Sequence, residues 1–116
     1  MSEVGDCLFC RIVAGEIPAS IVYEDDQILA FRDIAPQAPT HLLVIPRKHI
    51  PRLDDTTEDD GALLGRVMLA CAEIARREGV SEAYRVVNNC GADAGQSVFH
   101  LHFHLLAGRD LGWPPG

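Results

Sequence analysis

Apolar and polar positions alternate most strictly between residues 99 and 106. The apolar positions are Phe99, Leu101, Phe103 and Leu105, and the positions between them are His100, His102 and His104. A period of two residues predicts a β-strand. Because each strand residue advances about 3.3 Å, the three imidazoles are expected on one face at intervals of about 6.6 Å, with Phe and Leu covering the other face.

Shorter apolar runs predict the remaining strands. They are Ile21–Glu24, Ile28–Phe31, His41–Ile45 and Tyr84–Asn88. The first two flank Asp25-Asp26 and predict an antiparallel hairpin. The proline-bearing segments 17–20 and 33–40 predict a turn and a loop, and residues 90–95 predict a flexible turn into the histidine-bearing strand.

A different periodicity follows residue 56. Thr56 to Asp60 supply hydroxyls and acids suited to the start of a helix, and Gly79 suits its end. Apolar residues recur at helical spacing between them: Leu63, Leu64, Val67, Cys71, Ile74 and Ala75. Met68, Leu69 and Ala72 widen the stripe, which indicates a second buried surface. Five strands and one long helix place the chain in the α+β class.

The chain has 116 residues, which predicts a single domain spanning 1–116. Its net charge of −7, with acids gathered between Asp54 and Asp60 and no basic cluster, argues against polymeric nucleic acid as a partner. A mononucleotide stays possible, since backbone N–H groups and imidazoles can hold a phosphate.

The acidic start of the sequence lacks the apolar core of a signal peptide, and no apolar run reaches the roughly 20 residues of a membrane span. We therefore expect no membrane partner and a cytoplasmic location. In that reducing compartment the four cysteines are expected as metal ligands or buried thiols before disulfides.

The histidine triplet suggests chemistry, but by itself it leaves two kinds open. Imidazole serves both as a catalytic group and as a metal ligand, and a merely solvated strand explains three successive histidines poorly. Cys7 and Cys10 have the spacing of a zinc half-site. A redox pair or two core thiols around Phe9 are the alternatives there.

Several ordered motifs together resemble one family. The sequence His-φ-His-φ-His-φ-φ, where φ is apolar, follows Gly95-Gln96-Ser97; Asn89 precedes Gln96 by seven residues, and Trp113-Pro114-Pro115-Gly116 closes the chain. This combination resembles the histidine triad (HIT) superfamily, specifically its Hint branch of purine nucleoside phosphoramidases. The likeness extends from Leu8 to the last residue.

The resemblance implies a fold and an assembly. Hint proteins have an antiparallel sheet packed with one long helix and a short amino-terminal helix, and two copies join into a homodimer with a continuous sheet. Residues 1–5 and 109–116 are then terminal tails. In such dimers the closing tail reaches toward the partner's active site, where Trp113 contacts the leaving group; otherwise the tail is a stiff exposed end.

The resemblance also implies catalytic roles. His102 is the nucleophile that attacks the α-phosphate, and His104 donates to phosphate oxygens. His41 supports the triad's hydrogen bonds, while Ser97 and Asn89 hold oxygens or the leaving group. His104 stands where the transferase branch has glutamine, which favours a hydrolase.

The nucleoside pocket follows from the same matching. Asp33 is expected to accept hydrogen bonds from the ribose hydroxyls, although from its own position it is equally an Asx-turn residue. The implied apolar walls, each also compatible with ordinary core, are Leu8, Phe9, Ile12, Phe31 and Ile34. Gln96 joins the nucleotide-binding set with Asn89, Ser97, His102 and His104.

Cys7 and Cys10 make the chain resemble bacterial family members that have a Cys₂His₂ zinc site. This resemblance implies a structural zinc ion held by Cys7, Cys10, His49 and His100, and it implies that catalysis requires no metal. The expected function is hydrolysis of purine nucleoside phosphoramidates to a nucleoside monophosphate. The rival functions are a dinucleoside polyphosphate hydrolase, a nucleotide-binding regulator with incidental hydrolysis, and a metal-storage or zinc-sensing protein.

Overall fold

The computed structural model of the protein describes residues 6–116, so the predicted tail 1–5 lies outside the described residues. Five strands and two α-helices follow one another: α1 (Leu8–Val13), β1 (Ile21–Glu24), β2 (Ile28–Arg32), β3 (Thr40–Pro46), α2 (Gly61–Arg77), β4 (Tyr84–Val87) and β5 (Phe103–Ala107). Short 3₁₀ turns occupy Leu53–Asp55, Glu58–Asp60 and Ala92–Ala94. The predicted α+β class, the strands of the hairpin and the long helix are confirmed.

All five strands belong to one antiparallel sheet in the order β1-β2-β3-β5-β4. Within it β3 is central, and six of its seven residues are buried. A strand buried on both faces reads as a continuous apolar run, which is why 41–45 shows no alternation. Successive β3 residues therefore point in turn to the two faces of the sheet.

Helix α2 covers one face of the sheet. Leu42 and Val44 of β3 pack on that side with Val67 and Ile74 of α2. The opposite face is covered at one end by α1, where Phe9 and Ile12 pack against another buried set: Leu29, Phe31, Leu43 and Ile45. Because α1 covers only one end, the rest of this second face stays open beside β4 and β5.

The start of α2 follows the predicted capping chemistry. Thr57 and Asp60 form a capping box across the turn Glu58–Asp60, in which the Thr57 amide donates to Asp60 Oδ2 at 2.9 Å. This turn runs directly into Gly61, where α2 begins.

Met68 and Leu69, which widen the apolar stripe of α2, are 42% and 64% exposed in the single chain. Among the described residues, neither helix has the length and apolar character needed to cross a bilayer.

The predicted strand 99–106 is wrong over its first four residues, since β5 begins only at Phe103. Other groups take the backbone bonds that would extend the ladder: the Leu101 amide donates to Ile50 O at 2.6 Å, and the His102 carbonyl accepts from the Asn88 side chain at 2.9 Å. Strand Tyr84–Val87 accordingly ends one residue before Asn88. The side chains still alternate as predicted: Leu101, Phe103 and Leu105 pack on the α2 side, while the rings of His100 and His102 both contact the Phe9 ring of α1.

Candidate active site

The sheet register brings two histidines together on the face that α1 leaves open. In the β3·β5 pairing His41 lies opposite Leu106 and Leu43 opposite His104. Residues 41 and 104 are thus diagonal neighbours with side chains on the same face. His41 Nε2 and His104 Nδ1 are 2.9 Å apart, which is hydrogen-bonding distance.

The hydrogen bonds around these two rings determine their tautomers. The backbone N–H of Gln37 can only donate, and it lies 3.0 Å from His41 Nδ1, which must therefore accept. The His41 proton is then on Nε2 and is donated to His104 Nδ1. His104 in turn carries its own proton on Nε2, directed away from His41 and available to a ligand.

His102 has the opposite tautomer. Its Nδ1 lies 2.8 Å from the carbonyl oxygen of His100, which can only accept, so Nδ1 carries the proton. Nε2 consequently keeps its lone pair. The His102 and His104 rings are adjacent, with centroids 5.2 Å apart. A nucleophilic nitrogen and an N–H donor thus stand side by side.

Burial favours the uncharged form of the His102 and His104 imidazoles. It lowers the pKa of His104 from 6.5 to about 4, with further lowering by the neighbouring His102 and His41. Burial also lowers the pKa of His102, and the bond to the His100 carbonyl opposes this only in part. Neutral rings at pH 7 are what a lone-pair nucleophile requires.

Two asparagines hold the site, by different contacts. Asn88 Nδ2 donates to the carbonyl oxygen of His102 at 2.9 Å and so fixes the backbone that carries this ring. Asn89 Nδ2 donates to Ala94 O at 2.8 Å and lines the cleft beside His104. Sequence reasoning selected Asn89 and missed Asn88, for which the doubled asparagine was the available signal.

The loop before the triad is fastened by Gln96. Its Oε1 accepts from the Gly91 amide at 2.8 Å, and its Nε2 donates to Pro51 O at 2.7 Å and Val98 O at 3.1 Å. The Gln96 side chain is 4% exposed and is engaged with backbone, whereas Ser97 is exposed. Gly95 precedes Gln96 with φ +98°, a conformation that favours glycine. Gln96 therefore shapes the loop that presents Ser97.

Asp33 has the Asx-turn role that its own position allowed, and it also faces a histidine. Its Oδ1 accepts from the Ala35 amide at 2.8 Å, an Asx turn. Its Oδ2 lies 3.5 Å from His41 Nε2. One carboxylate oxygen thus orders the loop between β2 and β3, and the other faces the histidines.

The five apolar residues expected around a base divide by exposure. Phe9, Ile12 and Phe31 are buried, and the Phe9 ring makes an edge contact with His102 at 5.2 Å between centroids. Leu8 is 44% exposed, and Ile34 is fully exposed.

A cleft of about 400 Å³ opens beside His41 and His104, between β4 and the closing segment of the chain. Its lining residues are Gln37, His41, Arg85, Val87, Asn89, His104, Leu106, Arg109, Leu111, Pro114, Pro115 and Gly116. The chain's own closing segment forms one wall, because Arg85 donates to the carbonyl oxygens of Leu111, Gly112 and Pro115. Trp113 is 86% exposed and does not line the cleft. Sequence reasoning did not identify Arg85.

The four residues assigned to zinc meet at the other end of the histidine segment. Cys7 Sγ and Cys10 Sγ lie 3.4 and 3.5 Å from His100 Nδ1, and His49 Nδ1 lies 3.2 Å from Cys10 Sγ and 3.3 Å from His100 Nδ1. Around one zinc ion with ordinary Zn–S and Zn–N bonds, the N–N and S–N edges of a tetrahedron are about 3.3–3.6 Å. These residues therefore lie close enough together to hold a metal ion.

The chemistry of the four ligands agrees with the distances. His100 Nε2 donates to Pro46 O at 2.7 Å, which leaves Nδ1 unprotonated toward the cysteines. Burial, followed by the hydrogen bond and charge of Cys7, raises the pKa of Cys10 to about 11. Without a cation the Cys10 thiol stays protonated at pH 7, and a bound metal would supply the missing positive charge.

Asp33, His41 and His104 also lie within metal-binding distance of one another. Their hydrogen bonds argue against that use. The proton between His41 Nε2 and His104 Nδ1 occupies the direction a metal would need, and the Gln37 amide keeps it on His41. This second cluster is a hydrogen-bond relay.

The comparisons with known proteins agree with this fold and site. The HIT domain family matches residues 14–111. An uncharacterized HIT-like protein of Synechococcus elongatus is 56% identical over 116 residues, which is the whole of both chains. A HIT family hydrolase from Legionella pneumophila Philadelphia 1 superposes with a TM-score of 0.93 at 55% identity, covering 95% of this chain and 99% of that one.

A more distant structure extends the likeness. A histidine triad nucleotide-binding protein from Candida albicans has a TM-score of 0.80 at 32% identity, covering 93% of this chain and 82% of its own. The fold and the site thus define an α+β domain that places two neutral histidines, His102 and His104, side by side at one face of its sheet. The chain belongs to the HIT domain family.

Proposed function

We propose that this protein is a hydrolase of purine nucleoside phosphoramidates that works through a nucleotidyl-histidine intermediate on His102. The observation that carries the proposal is the pair of opposite tautomers, a bare Nε2 on His102 beside an Nε2–H on His104. The neighbours named as a HIT family hydrolase and a histidine triad nucleotide-binding protein support hydrolysis and nucleotide binding.

The reaction has two displacements at phosphorus. In the first, the His102 Nε2 lone pair forms an N–P bond while the bond from phosphorus to the amine breaks, and the amine takes the electron pair and one proton from solvent and leaves neutral. In the second, water attacks the same phosphorus and frees His102. Overall, one phosphoramidate anion and one water give a nucleoside monophosphate dianion and an ammonium ion, so atoms and charge balance.

The other residues bind and orient the substrate. His104 Nε2–H hydrogen-bonds the phosphoryl group, where negative charge grows during attack. His41 and the Gln37 amide hold His104 in that tautomer. Asp33 accepts from the ribose hydroxyls, and Leu8, Ile34 and the Phe9 ring flank the purine. Ser97 and Asn89 contact phosphate oxygens or the departing amine.

We also propose that Cys7, Cys10, His49 and His100 hold a structural zinc ion. The ion would supply the charge that lets both thiols bind as thiolates, and it takes no part in the displacement. The four residues come from the start of α1, the segment after β3 and the segment before β5. Their connection fixes the His100 carbonyl, which is the acceptor for His102 Nδ1.

The proposed protein is a cytoplasmic homodimer. Its four cysteines are free, which suits a reducing compartment. Strand β4 is an edge strand, and Met68 and Leu69 are exposed on α2. Pairing of β4 with its copy would continue the sheet and cover the apolar helix surface. Light scattering after size-exclusion chromatography tests this: the dimer mass is expected, and a monomer at micromolar concentration contradicts it.

The activity test is steady-state hydrolysis of adenosine 5′-phosphoramidate by untagged protein, with diadenosine triphosphate as the rival substrate. His102→Asn should lower kcat by several orders of magnitude while AMP still binds, because binding and covalent chemistry are separable. Faster turnover of the triphosphate would favour a dinucleoside polyphosphate hydrolase. AMP binding without turnover of either compound would favour a regulator, and the absence of AMP binding would favour a metal-handling protein.

A further inference from the structure

The segment after β5 lies directly against the loop that leads into β3. In the sheet, Ala107 at the end of β5 pairs with Thr40 at the start of β3. Gly108 follows with φ +96°, and a Cβ atom at this position would lie 2.8 Å from the Cβ atom of Pro39. Glycine permits both this backbone conformation and this close approach. As a result, Arg109 is placed beside the loop.

Arg109 fastens that loop at Gln37. Its Nε donates to the Gln37 carbonyl oxygen at 2.9 Å, and one terminal nitrogen donates to Asp110 O at 3.0 Å. Among residues 6–116, the other hydrogen bonds of residues 33–39 stay within the loop or go to His41. Arg109 is therefore the side chain that holds this loop from the β5 side.

The hydrogen-bond relay between His41 and His104 depends on the position of this loop. The Gln37 N–H donates to His41 Nδ1 at 3.0 Å, which keeps the proton of each ring on Nε2. If this N–H moved away, His41 could carry its proton on Nδ1. Its Nε2 would then accept from His104 Nδ1, and His104 would present a lone pair instead of an N–H to the phosphoryl group.

Asp33 limits how far the relay can reverse. Its Oδ2 lies 3.5 Å from His41 Nε2, which is long for a hydrogen bond but close enough to favour a proton on that nitrogen. Loss of the Gln37 contact should therefore shift the ratio of the two tautomers without inverting it completely.

We propose that Arg109 is a positioning residue for the reaction. By holding Gln37, it keeps the relay directed from His41 to His104 and so keeps the His104 Nε2–H toward the phosphoryl group. The inference rests on the proposed function, because it concerns the phosphoryl donor of that same reaction. Arg109 follows the strand that carries His104, so the contacts through Gln37 and His41 return to the strand from which they start.

The first test measures the tautomers of the His41 and His104 rings in the ligand-free protein, using long-range ¹H–¹⁵N NMR spectra at neutral pH. The wild type should carry Nε2–H on both rings. Arg109→Met keeps the stem and removes every donor, so it should raise the Nδ1–H fraction of both rings. Arg109→Lys keeps a charged donor and should restore part of the wild-type ratio. Because Arg109 and Gln37 are both exposed, these variants should fold normally.

The second test measures hydrolysis of adenosine 5′-phosphoramidate. Arg109→Met should lower kcat about five- to tenfold, which corresponds to the loss of one modest hydrogen bond. In a His41→Ala background the relay is already absent, so adding Arg109→Met should leave kcat at the value of His41→Ala alone. Arg76→Gln is the matched control, because Arg76 is an exposed arginine on α2 paired with Glu73. It should match the wild type in both tests.

Wild-type tautomers in Arg109→Met would overturn the inference, whatever the activity of that variant. An equal loss of kcat with and without His41 would also overturn it, because the arginine would then act on the substrate and not through the relay. If the wild type fails to hydrolyse the phosphoramidate, the proposed function fails, while the tautomer measurement still decides whether Arg109 holds the relay.

Discussion

Asn88 should control both the stability of the fold and the placement of the nucleophile. Its side chain is half-buried and donates to the carbonyl oxygen of His102, a residue that is only 6% exposed. Asn88→Ala removes the donor and leaves that acceptor without its protein partner, at a cost of about 1–3 kcal/mol. For a chain of this length each kcal/mol is worth about 4 °C in Tm, so we expect a fall of about 4–12 °C.

The same change should lower kcat about 10- to 100-fold, since the backbone carrying His102 is no longer held at one position. Asn88→Asp keeps the shape of the side chain but places a carboxylate oxygen, which can only accept, against the His102 carbonyl oxygen, which also only accepts. It should therefore lower both the stability and kcat more than Asn88→Ala does. Asn89→Ala is the stability control, because its bond to Ala94 O is exposed. Denaturant unfolding and phosphoramidate hydrolysis provide the two readouts. Wild-type stability and kcat in Asn88→Asp would refute the reasoning.

Three further predictions follow from burial and charge. Removing metal with a chelator, or making Cys10→Ser, should lower the free energy of unfolding by about 3 kcal/mol or more, whereas the control Cys90→Ser should not. Denaturant unfolding curves measure this, and equal curves with and without chelator would contradict the metal site. The pKa of His104 is about 4, below the 6.5 of an unfolded histidine, so the unfolded state binds more protons between these values and stability should fall as pH drops through that window. NMR titration of the His104 ring checks this, and a midpoint near 6.5 would contradict it. Leu105→Ala empties a fully buried position between the sheet and α2 and should cost about 2–5 kcal/mol in denaturant unfolding; a cost below 1 kcal/mol would mean that the core closes around the gap.

Local patterns were sufficient to predict most of the fold. The hairpin around Asp25, the long helix and the α+β class follow from periodicity, capping residues and turns, each of which depends on neighbours in sequence. The alternation at 99–102 misled because those side chains alternate while their backbone bonds go to Ile50 and Asn88 instead of a neighbouring strand. Periodicity describes side chains and carries no information about the partners of backbone groups.

The candidate site shows the same division. The four residues that lie close enough to hold a metal ion could be named in advance, because cysteine and histidine are distinctive and the family likeness supplied their grouping. The doubled asparagine pointed to Asn88 as well as Asn89, and only the structure shows that Asn88 holds His102. Gln37 and Arg85 could not be named, since Gln37 acts through its backbone N–H and Arg85 acts on carbonyl groups distant in sequence. Such contacts depend on the folded position of the main chain and leave no residue pattern.

The most direct test of the central claim is to trap the intermediate. Wild-type protein is mixed with adenosine 5′-phosphoramidate, quenched during turnover, and its peptides are mapped by mass spectrometry. We predict one added nucleotidyl group on His102, absent from His102→Asn and removed by longer incubation with water. A nucleotidyl group on another residue, or rapid turnover by His102→Asn, would contradict the assignment of His102 Nε2 as the nucleophile.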